Sequence, residues 1–335
     1  MSNAPILLLG GAGIVGRHTA HYLRDQFPDV PLLIAGRNLD RAQAMADQLG
    51  NATAAKVDLS RDDLGLGDQA VSAMAVLFTD TMGTTLRFAQ NRGIGHISIS
   101  PGIIELGPDV AAYITSPDIS PVVLGTEWLV GATTIPTVEI ARQFDRIDDI
   151  AIGALLDEQD DFGPAAELDY NRQTQTLSAA LARVDGEWRW FVGEDTNTCF
   201  RAMDGTEISA NIFSPNDVLA LGHATGAPNV HFRLALGESS SRRTGKAPST
   251  EIIIELAGID LNGKPLKTRH AVSHPKGQMP LTGLGVALVL ERLAGLDGNP
   301  PTGSGLYFPY QLLDPTRYFA RFKAIGGQLT KLADV

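Results

Sequence analysis

The residues with the clearest chemical meaning lie near the start of the chain, in Gly10-Gly11-Ala12-Gly13-Ile14-Val15-Gly16. Gly11, Gly13 and Gly16 stand in Gly-x-Gly-x-x-Gly spacing between an apolar run and a helical pattern. Each has its own task. Gly11 permits the tight turn, Gly13 lets backbone approach a pyrophosphate, and Gly16 lets helix and strand pack closely. Ile14, Val15 and Gly16 open the helix, where free N–H groups and the positive end of the dipole favour a phosphate. The pattern implies a dinucleotide.

Further along, Ala35-Gly36-Arg37-Asn38 ends the second apolar run. A site for NAD usually has an acid there for the ribose 2′-hydroxyl, whereas an arginine suits a 2′-phosphate. Arg37, with Arg41 close by, therefore favours NADP(H) over NAD; the plainer reading is a solvated residue at a helix start. Asn38 belongs to the same turn. Asp58 follows the third run, placed to meet an adenine edge or to cap the next segment. Thr79 and Asp80 follow the fourth, where a chain of this type passes the nicotinamide ribose, because ligands bind beyond the carboxyl ends of the strands.

Hydride transfer to C=N or C=O also needs a proton donor in a water-poor pocket. Glu127 and Trp128 follow the sixth run and qualify by position, with a helix-start charge as the plain alternative for Glu127. His274, Lys276 and Gln278 precede a long apolar stretch and are placed to reach a cleft, His274 as the candidate acid. Ser98 and Ser100, near the end of the fifth run, are candidates to line the cofactor, whereas His96 stands at the wrong end of that run. Other chemistries are missing. No Tyr is followed four residues later by Lys, and neither HExxH nor CxxC occurs. Cys199 sits in a threonine-rich stretch and reads as a core thiol. His270 and His274 lie beside Pro275 in a loop-like context, so no metal is expected.

These groups need a scaffold. Short apolar runs at 6–9, 32–35, 54–57, 75–78, 96–99 and 122–124 alternate with helical patterns at 14–26, 39–49 and 84–90. That alternation marks an α/β fold, a Rossmann-type doubly wound parallel sheet. After about Trp128 the pattern changes to helices near 137–144 and 165–182 and strands near 150–156, 189–192, 207–212, 230–236 and 251–256. This reads as an α+β domain on a mainly antiparallel sheet, with 239–249 as a mobile surface loop. Residues 281–293 are apolar on nearly every face, so that helix should be buried, covering the first domain. The expected division is a dinucleotide-binding domain at 1–128, completed by C-terminal helices at 277–335, and an α+β substrate and dimerisation domain at 129–276.

With 44% hydrophobic and 19% charged residues, the chain of 335 residues has the balance of a globular protein. A formal charge of -11 leaves no basic excess for nucleic acid or an anionic membrane, so neither is an expected partner. One cysteine cannot form an internal disulfide. No apolar run reaches the length of a membrane span, and the first strand starts too early for a signal peptide, so a cytoplasmic location is expected.

Ile6-Leu-Leu-Leu-Gly-Gly-Ala-Gly-Ile-Val-Gly16, Ala35-Gly-Arg-Asn38 and Val57-Asp-Leu59 resemble the saccharopine dehydrogenase-like family of NADP-binding oxidoreductases. Gly277-Gln-Met-Pro-Leu-Thr282 is a looser C-terminal echo. The resemblance implies a substrate and dimer domain after the Rossmann strands, C-terminal helices that return to the first domain, and a homodimer. It implies an oxidoreductase acting on a small polar imine or carbonyl compound. A Pro-Gly near the sixth strand, frequent in that family, is replaced by Gly125-Thr126-Glu127-Trp128, so the substrate does not carry over. The second reading, of another class, is a non-catalytic NADP-binding sensor or interaction protein.

Overall fold

The computed structural model describes residues 4–176 and 179–333. The chain begins β1 (Ile6–Leu9), α1 (Ile14–Gln26), β2 (Leu32–Gly36), α2 (Leu39–Leu49), β3 (Ala52–Lys56), β4 (Ala73–Val76), α3 (Thr84–Arg92), β5 (Gly95–Ser98), α4 (Leu106–Thr115) and β6 (Pro121–Leu124). It continues through α5 (Thr134–Ala141), β7 (Phe144–Asp157), α6 (Gly163–Asn171), β8 (Ala179–Val184), β9 (Glu187–Val192), β10 (Asn197–Arg201), β11 (Glu207–Ile212), α7 (Asp217–Thr225), β12 (Asn229–Gly237) and α8 (Ser240–Arg243). Next are β13 (Thr250–Asp260), β14 (Pro265–His274), α9 (Met279–Leu293), β15 (Gly305–Tyr307), α10 (Pro309–Leu312), α11 (Pro315–Ala324) and β16 (Gln328–Lys331).

These elements form two compact units. The first comprises the chain up to Thr126, then Gly163–Asp169 and Thr282–Asp314. Its sheet has seven strands in the order β15-β6-β5-β4-β1-β2-β3, and every pairing is parallel. The residues explain it. A parallel sheet covered on both faces needs strands that are apolar throughout, and Ile6, Leu7, Leu8 and Leu9 are all fully buried. In α2, Ala42, Met45, Ala46 and Leu49 form one buried face, and Asn38 caps the start by accepting from Arg41 N–H at 3.0 Å. α9 is buried nearly throughout. It packs on α1 at Gly283, where a Cβ would come within 2.5 Å of His18 Cβ.

The second unit holds Glu127–Phe162, Tyr170–Leu281 and the chain from Pro315. Its mixed sheet runs β10-β11-β12-β7-β13-β14-β16, with β8 pairing β12 and β9. β7 lies parallel to β12 and antiparallel to β13. Gly153 of β7 makes room for the Phe200 ring, which a Cβ would approach to 2.5 Å.

Four expectations are corrected. Residues 315–335 do not return to the first unit as a block: α11 belongs to the second, and β16 pairs with β14. The helix expected over 165–182 ends as α6 at Asn171, a π turn covers 172–176, and β8 begins at Ala179; 177 and 178 lie outside the described residues. Cys199 is exposed rather than a core thiol, because it lies with Asn197 and Arg201 on the outward face of β10, whereas Phe200 on the other face is buried. The segment 239–249 is tied down by buried carboxylates. Asp157 accepts from Ser239 N–H at 2.9 Å and from its hydroxyl at 2.5 Å, and Glu251 accepts from the Ser240 hydroxyl at 2.7 Å. No described helix is long and apolar enough to cross a membrane.

Candidate active site

In the first unit, ligands of a doubly wound sheet sit beyond the carboxyl ends of the strands, where the strand order reverses between β4 and β1. The glycine loop leaves β1 at that point. Gly10 has φ +83°, and Gly16 is forced to be glycine, since a Cβ there would lie 2.5 Å from the Gly11 carbonyl oxygen. Gly11 is equally confined, with Leu8 and Ile34 at about 3 Å. Gly13 differs. It is exposed, and a Cβ there would meet only the Gly10 carbonyl oxygen, at 3.1 Å. Nothing in the fold forbids a side chain there, and the space is left on the solvent side of the loop. This is the cradle that a pyrophosphate needs.

The start of α1 fits the same group. Gly10, Gly11 and Gly13 spend their N–H groups on carbonyls of Ala35, Leu8 and Gly10, whereas the backbone partners begin again only at Arg17. The N–H groups of Ile14, Val15 and Gly16 are thus those that a helix leaves unsatisfied. No acid stands in the first turn. Gly163, which opens α6 with φ +74°, packs on the Ile14 side chain beside this loop.

Arg37 follows β2 directly and is exposed, and no hydrogen bond or ion pair among the described residues takes its charge. Arg41 lies one helical turn on, with its guanidinium 3.4 Å from the Ala12 carbonyl. Arg41 thus stands beside the glycine loop, and Arg37 follows the strand paired with β1. Asn38 is the cap of α2. Asp58 is exposed and holds a turn, accepting from Ser60 N–H at 3.0 Å and from its hydroxyl at 2.6 Å; those bonds keep its carboxyl below the usual range. Asp80 is similarly engaged, its two oxygens accepting from Met82 N–H and Thr85 N–H at the entry to α3.

Thr79, just past β4, lies in a different setting. Its hydroxyl donates to Asp169 Oδ1 at 2.6 Å, Ser100 Oγ donates to Asp169 Oδ2 at 2.6 Å, and the two hydroxyl oxygens are 2.6 Å apart. Ser100 follows β5 and is 1% exposed, whereas Thr79 and Asp169 are half-buried. His96, at the other end of β5, is buried without a nearby charge strong enough to hold a proton, and its pKa falls to about 4.

The second unit holds the other two candidates. Glu127 is buried and accepts from Thr134 Oγ1 at 2.6 Å in the first turn of α5, as the helix-start alternative requires. Next to it, Leu129, Val130 and Gly131 all have positive φ, a conformation that a β-branched residue such as Val130 rarely adopts. The Trp128 ring packs against Phe213 and Phe232, and its backbone N–H donates to Asp217 at 2.5 Å. Burial pushes the Asp217 carboxyl up to about 7. His274 is 1% exposed, its Nδ1 accepts from Lys276 N–H at 3.1 Å, and its Nε2 lies 3.0 Å from the Ile325 carbonyl. Both ring nitrogens are engaged by backbone groups, and burial lowers the ring's pKa.

No protein-family model matches the chain, and no curated protein is detectably similar to it in sequence. Solved structures are. Saccharopine dehydrogenase (L-Glu forming) from Saccharomyces cerevisiae superposes with a TM-score of 0.62 at 16% identity, over 98% of this chain and 100% of that one. The chain has the saccharopine dehydrogenase fold. An amine dehydrogenase from Mycobacterium smegmatis is similar with a TM-score of 0.55 at 12% identity, covering 93% of this chain and 97% of that one. The gentamicin A biosynthesis protein GenD2, in complex with NAD, has a TM-score of 0.50 at 12% identity, covering 100% and 97%.

In this version of the saccharopine dehydrogenase fold, Asp169 is the residue that sequence reasoning missed. It stands in Ala165-Ala-Glu-Leu-Asp169, an ordinary polar helical stretch with no spacing to mark it. Only the return of Gly163–Asp169 to the first unit brings it to the strand ends.

Proposed function

We propose that this chain is an NADP(H)-dependent oxidoreductase that transfers a hydride to or from a small polar metabolite at an imine or carbonyl carbon. The observation that carries this reading is the open side of Gly13, set between the unsatisfied start of α1 and the uncommitted guanidinium of Arg37. Ile14, Val15 and Gly16 would hold the pyrophosphate through backbone N–H groups, and Arg37, helped by Arg41, would hold the 2′-phosphate. A bound nicotinamide cofactor supplies the hydride chemistry. The chain's own residues bind it, orient it and manage the proton.

The fold shared with two dehydrogenases, and with GenD2 in complex with NAD, supports the class of reaction. Asn38 and Asp58 border the adenine side, and Thr79 and Asp80 follow the strand beside the switch point. We take the protein to work as a homodimer on a small-molecule substrate.

The test is a fluorescence titration with NADPH and NADH, followed by absorbance assays of NADPH consumption with keto acids alone and with amines. Tight NADPH binding, weaker NADH binding and turnover of a panel member are expected. Equal affinity for both cofactors would sink the 2′-phosphate reading. Tight NADPH binding with no turnover on any compound would favour a sensor.

A further inference from the structure

The triangle of Thr79, Ser100 and Asp169 has more short contacts than its own protons can fill. Three oxygen pairs lie at 2.6 Å, and the two hydroxyls bring two protons. Whichever two contacts those protons occupy, the third sets lone pair against lone pair at a distance normal only for an O–H···O bond. One more proton, arriving on the Asp169 carboxylate, completes the ring: Asp169 donates to Thr79, Thr79 to Ser100, and Ser100 back to Asp169. A proton on Asp169 would thus satisfy all three contacts at once.

The cluster's place says where that proton comes from. Thr79 and Ser100 follow the carboxyl ends of the neighbouring strands β4 and β5, on the side of the switch point away from β2 and Arg37. With the pyrophosphate at the glycine loop and the 2′-phosphate at Arg37, the β4–β5 side remains for the nicotinamide half. We propose that Asp169 is the catalytic residue that exchanges the reaction's proton, with Thr79 and Ser100 positioning its carboxylate. This rests on the cofactor reading above and deepens it.

In the oxidising direction the substrate carries an H–C–X–H group, where X is the nitrogen of an amine or the oxygen of an alcohol. The X–H bond breaks and its proton forms an O–H bond on Asp169, while the X–H electron pair becomes the second bond of C=X. The C–H pair leaves as hydride to the oxidised cofactor, so one proton and one hydride account for the two hydrogens lost. Reduction runs the same steps backwards, with protonated Asp169 as the acid.

The test uses the full-length protein labelled at aspartate side-chain carboxyl carbons with 13C. The Asp169 signal is the one missing from the Asp169→Asn spectrum. Saturating NADPH is expected to move it, while saturating adenosine 2′,5′-bisphosphate, which lacks the nicotinamide half, is expected to leave it in place. Movement with both, or with neither while NADPH binds, overturns the assignment. Failure of NADPH to bind at all overturns the cofactor reading and this assignment together. On a turned-over panel substrate, Asp169→Asn should lower kcat by about 10²- to 10⁴-fold with NADPH affinity unchanged. The pH dependence of kcat that belongs to the wild-type proton acceptor should vanish, and Asp169→Glu should restore part of the rate. A carboxylate that merely clamps α6 would leave the pH profile as it was.

Discussion

Arg37 leaves β2 with its guanidinium in solvent and with no partner among the described residues. A surface arginine with nothing to hold contributes little to folding, so its removal isolates the ligand's share of the energy. A charge-assisted contact of this kind is worth about 1.5–3 kcal/mol. Arg37→Ala should therefore weaken NADPH binding roughly 10- to 100-fold by titration, at the usual 1.4 kcal/mol per decade, and leave NADH binding and the melting temperature nearly unchanged. Equal losses for the two cofactors would show that Arg37 does not read the 2′-phosphate. The same scrutiny removes His274, whose two ring nitrogens already serve Lys276 and Ile325. A histidine before a buried helix looks available in a linear sequence. It is the carbonyl of Ile325, in a distant segment of the same unit, that shows otherwise.

Among the elements, the glycine loop divides its work between fold and ligand, and the division is measurable. A Cβ at Gly16 would lie 2.6 and 2.5 Å from the Gly10 and Gly11 carbonyl oxygens, whereas one at Gly13 would meet a single carbonyl oxygen at 3.1 Å. Gly16→Ala should cost stability on the scale of overpacking, roughly 1–3 kcal/mol, and lower the melting temperature. Gly13→Ala should melt close to wild type yet bind NADPH much more weakly. If Gly13→Ala kept full affinity, the loop would not be the pyrophosphate site. This half of the molecule was legible because each signal is local. The apolar run 6–9, the glycines and the face Ala42, Met45, Ala46 and Leu49 mark β1, α1 and α2 with the bounds found. Elsewhere the deciding partner is remote. β8 was hidden inside an expected helix because its apolar residues gain their meaning only from pairing with β9 and β12. The polar segment 239–249 looks loose until Asp157 and Glu251, from β7 and β13, are placed beneath it.

At the scale of the whole molecule, two buried groups, His96 in the first unit and Asp217 in the second, respond to pH in opposite senses. In the first unit, burial lowers the His96 pKa from 6.5 to about 4. Between those values the unfolded chain binds the proton and the folded chain does not, so this contribution to stability is full above 6.5 and is lost as pH falls towards 4. In the second unit, burial raises the Asp217 carboxyl from 3.8 to about 7. There the folded state holds the proton that the unfolded state releases, so the contribution is full below 3.8 and is lost as pH rises through 7. Each group alone sets a slope of about 1.4 kcal/mol per pH unit across its window. Calorimetry of His96→Gln and Asp217→Asn against wild type separates the two from every other titration. Relative to wild type, His96→Gln should lose ground as pH rises from 4 to 6.5, and Asp217→Asn should gain ground as pH rises from 4 to 7. Parallel curves for either variant would mean that the group titrates alike in the folded and unfolded chain.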